Sequence, residues 1–85
     1  MPYKFKKIKV LPKVLKKVKK HQISKQFLKV LNYLKQGKFK EVDLKLRQPK
    51  SAGIWYFRIN KQYRGLAKIE NDIFHVFEID DHSHS

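Results

Sequence analysis

The hydrophobic period of this chain changes from helical to extended near residue 39, and that change limits what it can fold into. Between Leu11 and Leu34 apolar residues recur every three or four positions, as on one side of a helix. From Val42 onward they recur mainly at every second position, as on one side of a strand. A chain that reads helical first and extended afterwards predicts an α+β arrangement, with helices packed on one face of a sheet. Its 85 residues amount to one small domain, residues 1–85.

The pattern resolves into elements. Tyr3, Phe5, Ile8 and Val10 predict a short strand, and the slip in alternation between Phe5 and Ile8 reads as a bulge. Pro12 suits a first helical position. Leu11, Val14, Leu15 and Val18 follow at helical spacing among lysines, a short basic amphipathic helix. Ser24 is the expected N-cap of a second helix, with Ile23 packing on Leu28 as a staple. Phe27, Leu28, Leu31 and Leu34 continue its stripe, Val30 lies at the edge, and Gly37 is the natural residue just past its end. The two helices are expected to form a hairpin sharing one apolar face. Val42, Leu44 and Leu46 alternate with Asp43, Lys45 and Arg47; residues 48–53 read as a loop. Strands over 54–59, 63–70 and 73–79, joined by turns at 60–62 and 71–72, form an antiparallel meander. The expected fold is an N-terminal strand and a two-helix hairpin packed on a four-stranded, mainly antiparallel sheet.

Charge divides the chain at the same place. Residues 1–40 hold 14 lysines and no acid, while residues 41–85 hold 7 basic and 7 acidic residues, so the whole net charge of +14 lies in the first part. A field of that size draws polyanions such as nucleic acid, an acidic protein or an anionic membrane. The chain has no Cys, which removes disulfides, thiol catalysis and Cys-ligated zinc. No apolar run reaches the roughly 20 residues of a membrane span. Lysines interrupt the N-terminal apolar residues, so no signal peptide is read and the cytoplasm is the default compartment. No phosphate-cradling glycine motif occurs.

The turns place candidate site residues. A three-residue turn at 60–62 sets Arg58 opposite Arg64 on one sheet face, and a two-residue turn at 71–72 sets Lys68 opposite His75 on the same face. Tyr63, Ala67, Ile69, Phe74 and Val76 then form the core face. Two guanidinium groups side by side fit an anion between them; the other reading is exposed arginines paired with Glu70 or Glu78. The tail Asp80-Asp81-His82-Ser83-His84 offers metal-ligating types, but adjacent strand residues point to opposite faces and no second cluster completes a cage, so no metal is expected. His82 is the residue of that tail suited to proton transfer near neutrality.

The stretch Trp55-Tyr56-Phe57-Arg58-Ile59-Asn60-Lys61-Gln62-Tyr63-Arg64, with Lys45-Leu46-Arg47 before it and Leu66-Ala67-Lys68-Ile69 after, resembles the RelE/ParE superfamily of toxins from type II toxin–antitoxin systems. The resemblance is specific over residues 44–82; over residues 1–40 only the order strand, helix, helix matches. It implies a ribosome-dependent, metal-independent mRNA endonuclease that inhibits translation and needs no cofactor. It further implies a cognate antitoxin as partner, alongside ribosome and mRNA, and no membrane. In this comparison Arg64 matches the phosphate-binding arginine, Arg58 the arginine of the preceding strand, and His82 the terminal catalytic histidine. Lys45 falls near a position where some members carry a catalytic Glu or Lys. Lys45 and Lys68, with Lys13, Lys16, Lys17 and Lys20 of the first helix, are the expected RNA contacts. The sequence departs from the pattern twice. Ser83, His84 and Ser85 follow His82 where many active members have an aromatic, leaving Tyr56 or Phe77 for base stacking, and the carboxylate of some members has no match. The alternatives are a non-enzymatic toxin of the same fold, such as a ParE-like gyrase inhibitor, and a basic RNA-binding protein.

Overall fold

The computed structural model describes residues 5–81. Strand β1 (Lys7–Val10) leads into helices α1 (Pro12–Lys20) and α2 (Ser24–Lys35). A 3-10 turn (Phe39–Val42), the short strand β2 (Lys45–Leu46) and a second 3-10 turn (Lys50–Ala52) precede the meander β3 (Trp55–Arg58), β4 (Tyr63–Glu70) and β5 (Ile73–Asp81). The class is α+β as expected, but the sheet has five strands rather than four, in the order β1-β5-β4-β3-β2. It is mixed, because β1 runs parallel to β5. Local periodicity locates β1 as a strand but cannot name a partner at the far end of the chain. The slip after Phe5 is where pairing starts: the N–H groups of Lys6 and Lys7 both reach the carbonyl of Asp72.

Both helices end on the same device. Gly37, at φ +74°, donates to the Leu34 carbonyl while Lys38 donates to that of Tyr33, the paired bonds of a Schellman cap. Gln22, at φ 57°, does the same for α1, with bonds from Gln22 to Lys19 and from Ile23 to Val18. Ile23 is therefore the closing residue of one helix and the boundary residue of the next. That leaves no position for a separate cap, and Ser24 lies inside α2 without a capping bond. The staple is not formed either: Leu28 is 61% exposed, whereas Ile23, Phe27, Val30 and Leu34 are buried. Positions 23, 27, 30 and 34 line one face, and Leu28 lies about 100° around the helix from Phe27.

The expected alternation over 42–47 is only partly extended. Val42 and Leu44 are both buried, but Asp43 between them is left-handed at φ 55°, and the chain turns rather than running as a strand. The core joins the helix residues Val14, Val18, Phe27, Val30 and Leu34 to Phe57, Ala67, Phe74, Val76 and Ile79 of the sheet. Gly65 faces Phe57 across β3 and β4, and a Cβ on it would meet the Phe57 ring at 2.1 Å. The absence of a side chain there lets the ring lie over the strand. Between β4 and β5 the register shifts, with Leu66 opposite Glu78 but Ala67 opposite Val76, leaving Phe77 as an extra residue. This bulge changes the inward set of β5 from Phe74 and Val76 to Ile79. β1 covers only the first half of β5; α1 packs against β5 beyond it. Among the described residues, no helix is long and apolar enough to cross a membrane.

Candidate functional site

With the helices on one face, the opposite face of the sheet is open, and its residues lie in cross-strand rows. Arg58, Arg64 and Asp80 form one row; Tyr56, Leu66 and Glu78 the next; Lys68, His75 and Lys9 a third. The expected pairings of Arg58 with Arg64 and of Lys68 with His75 are both present. So is the buried set of Tyr63, Ala67, Phe74 and Val76, with Ile69 packed at its margin.

Asn60 organises the turn that carries Arg64. Its Oδ1 accepts from the backbone N–H groups of Gln62 and Tyr63, both at 2.8 Å, and its Nδ2 donates to Gln26 Oε1 of α2 at 2.9 Å. Asn60 thereby ties the β3–β4 turn to the helical layer. The Arg64 guanidinium returns to the same residue: Nη1 donates to the Asn60 carbonyl at 2.6 Å and to the Tyr63 carbonyl at 3.3 Å. Tyr63 is buried, with its ring 4.8 Å from that of His21. Arg64 has five N–H donors, and using Nη1 on the backbone leaves the Nε–Nη2 edge for a bidentate anion. No salt bridge within 4 Å joins Arg64 to Asp80, its register partner, or to any other described residue.

Arg64 lines a cleft of about 460 Å³ with Leu46, Arg47, Gln48, Tyr56, Leu66 and Asp80. Two arginines, one carboxylate (Asp80), an aromatic ring and an aliphatic floor line it; the basic residues outnumber the acid, a set that can hold a phosphate with a base beside it. Arg58, though opposite Arg64 in register, lines a different cleft with Gln26, Lys29, Tyr33 and Glu41. Beyond Tyr56 the outer edge of β3 has no partner from β2. The second arginine of the Arg64 cleft is Arg47. Its backbone N–H extends the β2–β3 pairing by donating to Ile54 at 2.7 Å. Sequence reasoning named Arg47 in the 42–47 alternation and in the segment Lys45-Leu46-Arg47 but gave it no role; its place on the same side as Lys45 was the available signal.

The remaining candidates are dispersed. Lys45 is the register partner of Tyr56, and its ammonium lies 3.8 Å from Asp43. Lys13, Lys16 and Lys20 are exposed on α1. Lys17 is half-buried and donates to Glu78 Oε1 at 2.5 Å, and Lys13 lies 3.6 Å from the other carboxylate oxygen. The hydrogen bond from Lys17 holds the Glu78 carboxyl below its ordinary value. The Ile79 N–H and the charges of Lys17 and Lys13 act in the same direction, against partial burial. Glu78 is thus committed to α1 and not to the arginines, which removes one of the two acids of the exposed-pair reading. His82 lies outside the described residues, which reach Asp81, opposite Tyr63. No family model and no curated protein matches the chain at a significant level.

Proposed function

We propose that this chain is a toxin of the RelE/ParE type that cleaves ribosome-bound mRNA without a metal ion. The observation that carries the reading is the Arg64 cleft: a guanidinium anchored by the Asn60 carbonyl, a second arginine at Arg47, and Tyr56 between them on an open sheet face. In the reaction a 2′-hydroxyl loses its proton to a base and attacks the adjacent phosphorus. The phosphorane charge is held by cations, and the 5′-oxygen leaves with a proton, giving a 2′,3′-cyclic phosphate and a 5′-hydroxyl. Arg64 is assigned the phosphorane charge, Arg47 of the same cleft the neighbouring phosphate, and His82 one of the two proton transfers; Arg58, in the cleft beside α2, is left out of the chemistry. Tyr56, on the wall of the same cleft as Arg64, takes the base-stacking role. The lysines of α1, with Lys45 and Lys68, supply sequence-independent attraction to the RNA backbone. The partner of such a toxin is an antitoxin whose acidic segment covers the arginines.

The test is cleavage of ribosome-bound mRNA with EDTA present throughout. Arg64→Ala is expected to lower the rate by about 10²–10³, the usual cost of one preorganised charge donor. Ribosome binding should be nearly unchanged, because 20 other basic residues remain. His82→Gln should slow cleavage and remove one limb of the pH–rate profile. Wild-type cleavage by Arg64→Ala, or arrest of the reaction by EDTA, overturns the mechanism. Retention of growth arrest without any RNA cleavage favours the gyrase-inhibitor alternative.

A further inference from the structure

The third row of the open face carries basic side chains on all three strands. His75, half-buried on β5, has Lys68 opposite it on β4 and Lys9 opposite it on β1. Neighbouring strands are about 4.8 Å apart, so three basic side chains stand abreast within roughly 10 Å. None of the three is in a salt bridge among the described residues, and this row contains no acid. Glu70 lies two residues along β4, in the row of Ile73 and Lys7, without an ion pair to Lys68. Two lysines flanking an imidazole, with no acid in the row to pair them, fit a face that carries an anion. Lysine offers rotatable donors and imidazole an N–H, both suited to phosphate oxygens.

We infer that Lys9, His75 and Lys68 form a second phosphate site, and that single-stranded RNA runs along β4 from Arg64 to Lys68. Four residues of strand separate these two, about 13 Å, a span that an extended single strand covers with about two nucleotides. The row between them carries Tyr56 and Leu66, both half-buried, an apolar platform on which a base can lie. The acid of that middle row, Glu78, is neutralised by Lys17 and Lys13 and does not repel the strand. The inference rests on the open face being the RNA site. It adds a direction, a footprint and a residue, His75, that binds the substrate away from the cleaved bond.

The probe is a series of 2′-O-methyl oligouridylates from two to five nucleotides, which lack the attacking hydroxyl and stay intact. Binding is measured by titration calorimetry at fixed low salt for wild type, Lys68→Gln, His75→Gln and Arg64→Ala. Wild-type affinity should step up once the oligomer carries a phosphate beyond the Tyr56 row, and then level off. Lys68→Gln should remove that step, a loss of about fivefold for one exposed charge contact, and lower the salt slope by about 0.7. His75→Gln should remove the step too, and the His75 ring resonances should shift with the longer oligomers only. Lys68 is exposed, so its variant keeps the test sound even if His75→Gln disturbs the fold. If both variants bind every length as wild type does while Arg64→Ala binds weakly, the second site is wrong and the Arg64 site stands. If no oligomer binds wild type, the open face is not an RNA site and both readings fall.

Discussion

The helical half and the meander use their side chains in opposite ways. Along α1 and α2, Lys13, Lys16, Lys19, Lys20, Lys25, Lys29 and Lys35 are exposed, and the burial of Val14, Val18, Phe27, Val30 and Leu34 is what fixes the helices. None of these lysines belongs to the core, so the charge acts as a field. In the meander, register decides everything. Arg64 faces Arg58 and Asp80 because Gly65 faces Phe57 and Ile79, and a slip of one residue would send the guanidinium into the core. The first half therefore governs attraction and tolerates change, while the second governs geometry and does not.

The two halves differ sharply in what their glycines tolerate. Gly65→Ala forces a methyl group into the Phe57 ring, and Phe57 is fully buried with no space to retreat. Overpacking of this kind costs about 1–3 kcal/mol, which for a domain of this size lowers Tm by about 4–8 °C per kcal/mol. Gly37→Ala meets nothing within 4 Å and is penalised only for its left-handed backbone, by about 1 kcal/mol. Thermal unfolding followed by circular dichroism should rank Gly65→Ala clearly below Gly37→Ala. The reverse order would mean that the sheet register is not held by the Phe57 contact.

The lysines of α1 are not equally free to act on a polyanion. Lys13 and Lys17 are engaged by Glu78, whereas Lys16 and Lys20 are exposed without an ion pair among the described residues. Lys16→Gln combined with Lys20→Gln should flatten the plot of log K against log salt for RNA binding by about 1.4, at about 0.7 per lost phosphate contact. The pair Lys13→Gln and Lys17→Gln should flatten it less. Equal effects would show that Glu78 does not withdraw these two lysines from the RNA.

What the sequence disclosed follows the same division. Elements whose reasons are local were legible: Pro12 opening α1, Gly37 closing α2, and the positive-φ turn at Asn71 and Asp72 that sets Lys68 opposite His75. Elements whose reasons lie elsewhere in the chain were not. The parallel partner of β1 is more than sixty residues away, and the bulge at Phe77 is a register shift between β4 and β5 that no local pattern marks. Gln22 closes α1 in a conformation usually left to glycine, which its side chain does not announce. For the site, Arg64 was legible from alternation and resemblance. Its anchor on the Asn60 carbonyl and the approach of Arg47 were not, since both depend on how β2 and the β3–β4 turn come together.

The smallest effect tests the seam between the two halves. Lys17 and Lys13 of α1 meet Glu78 of β5 beyond the bulge, where β1 no longer covers the strand. The Glu78 side chain is 30% exposed and Lys17 43%, so solvent screens the pair and its contribution is on the order of 0.5–1 kcal/mol. The Glu78 carboxyl titrates below its ordinary 4.5 in the folded protein. Its stabilising effect is therefore fully present above that value and is lost as pH falls through the lower folded value. Glu78→Gln should accordingly be less stable than wild type at pH 7, and the two should converge in the acid range below the folded value. Chemical denaturation of both proteins across that range measures the difference directly. A gap that persists undiminished in acid would mean that Glu78 joins the halves by shape rather than by charge. The two lysines would then belong wholly to the field.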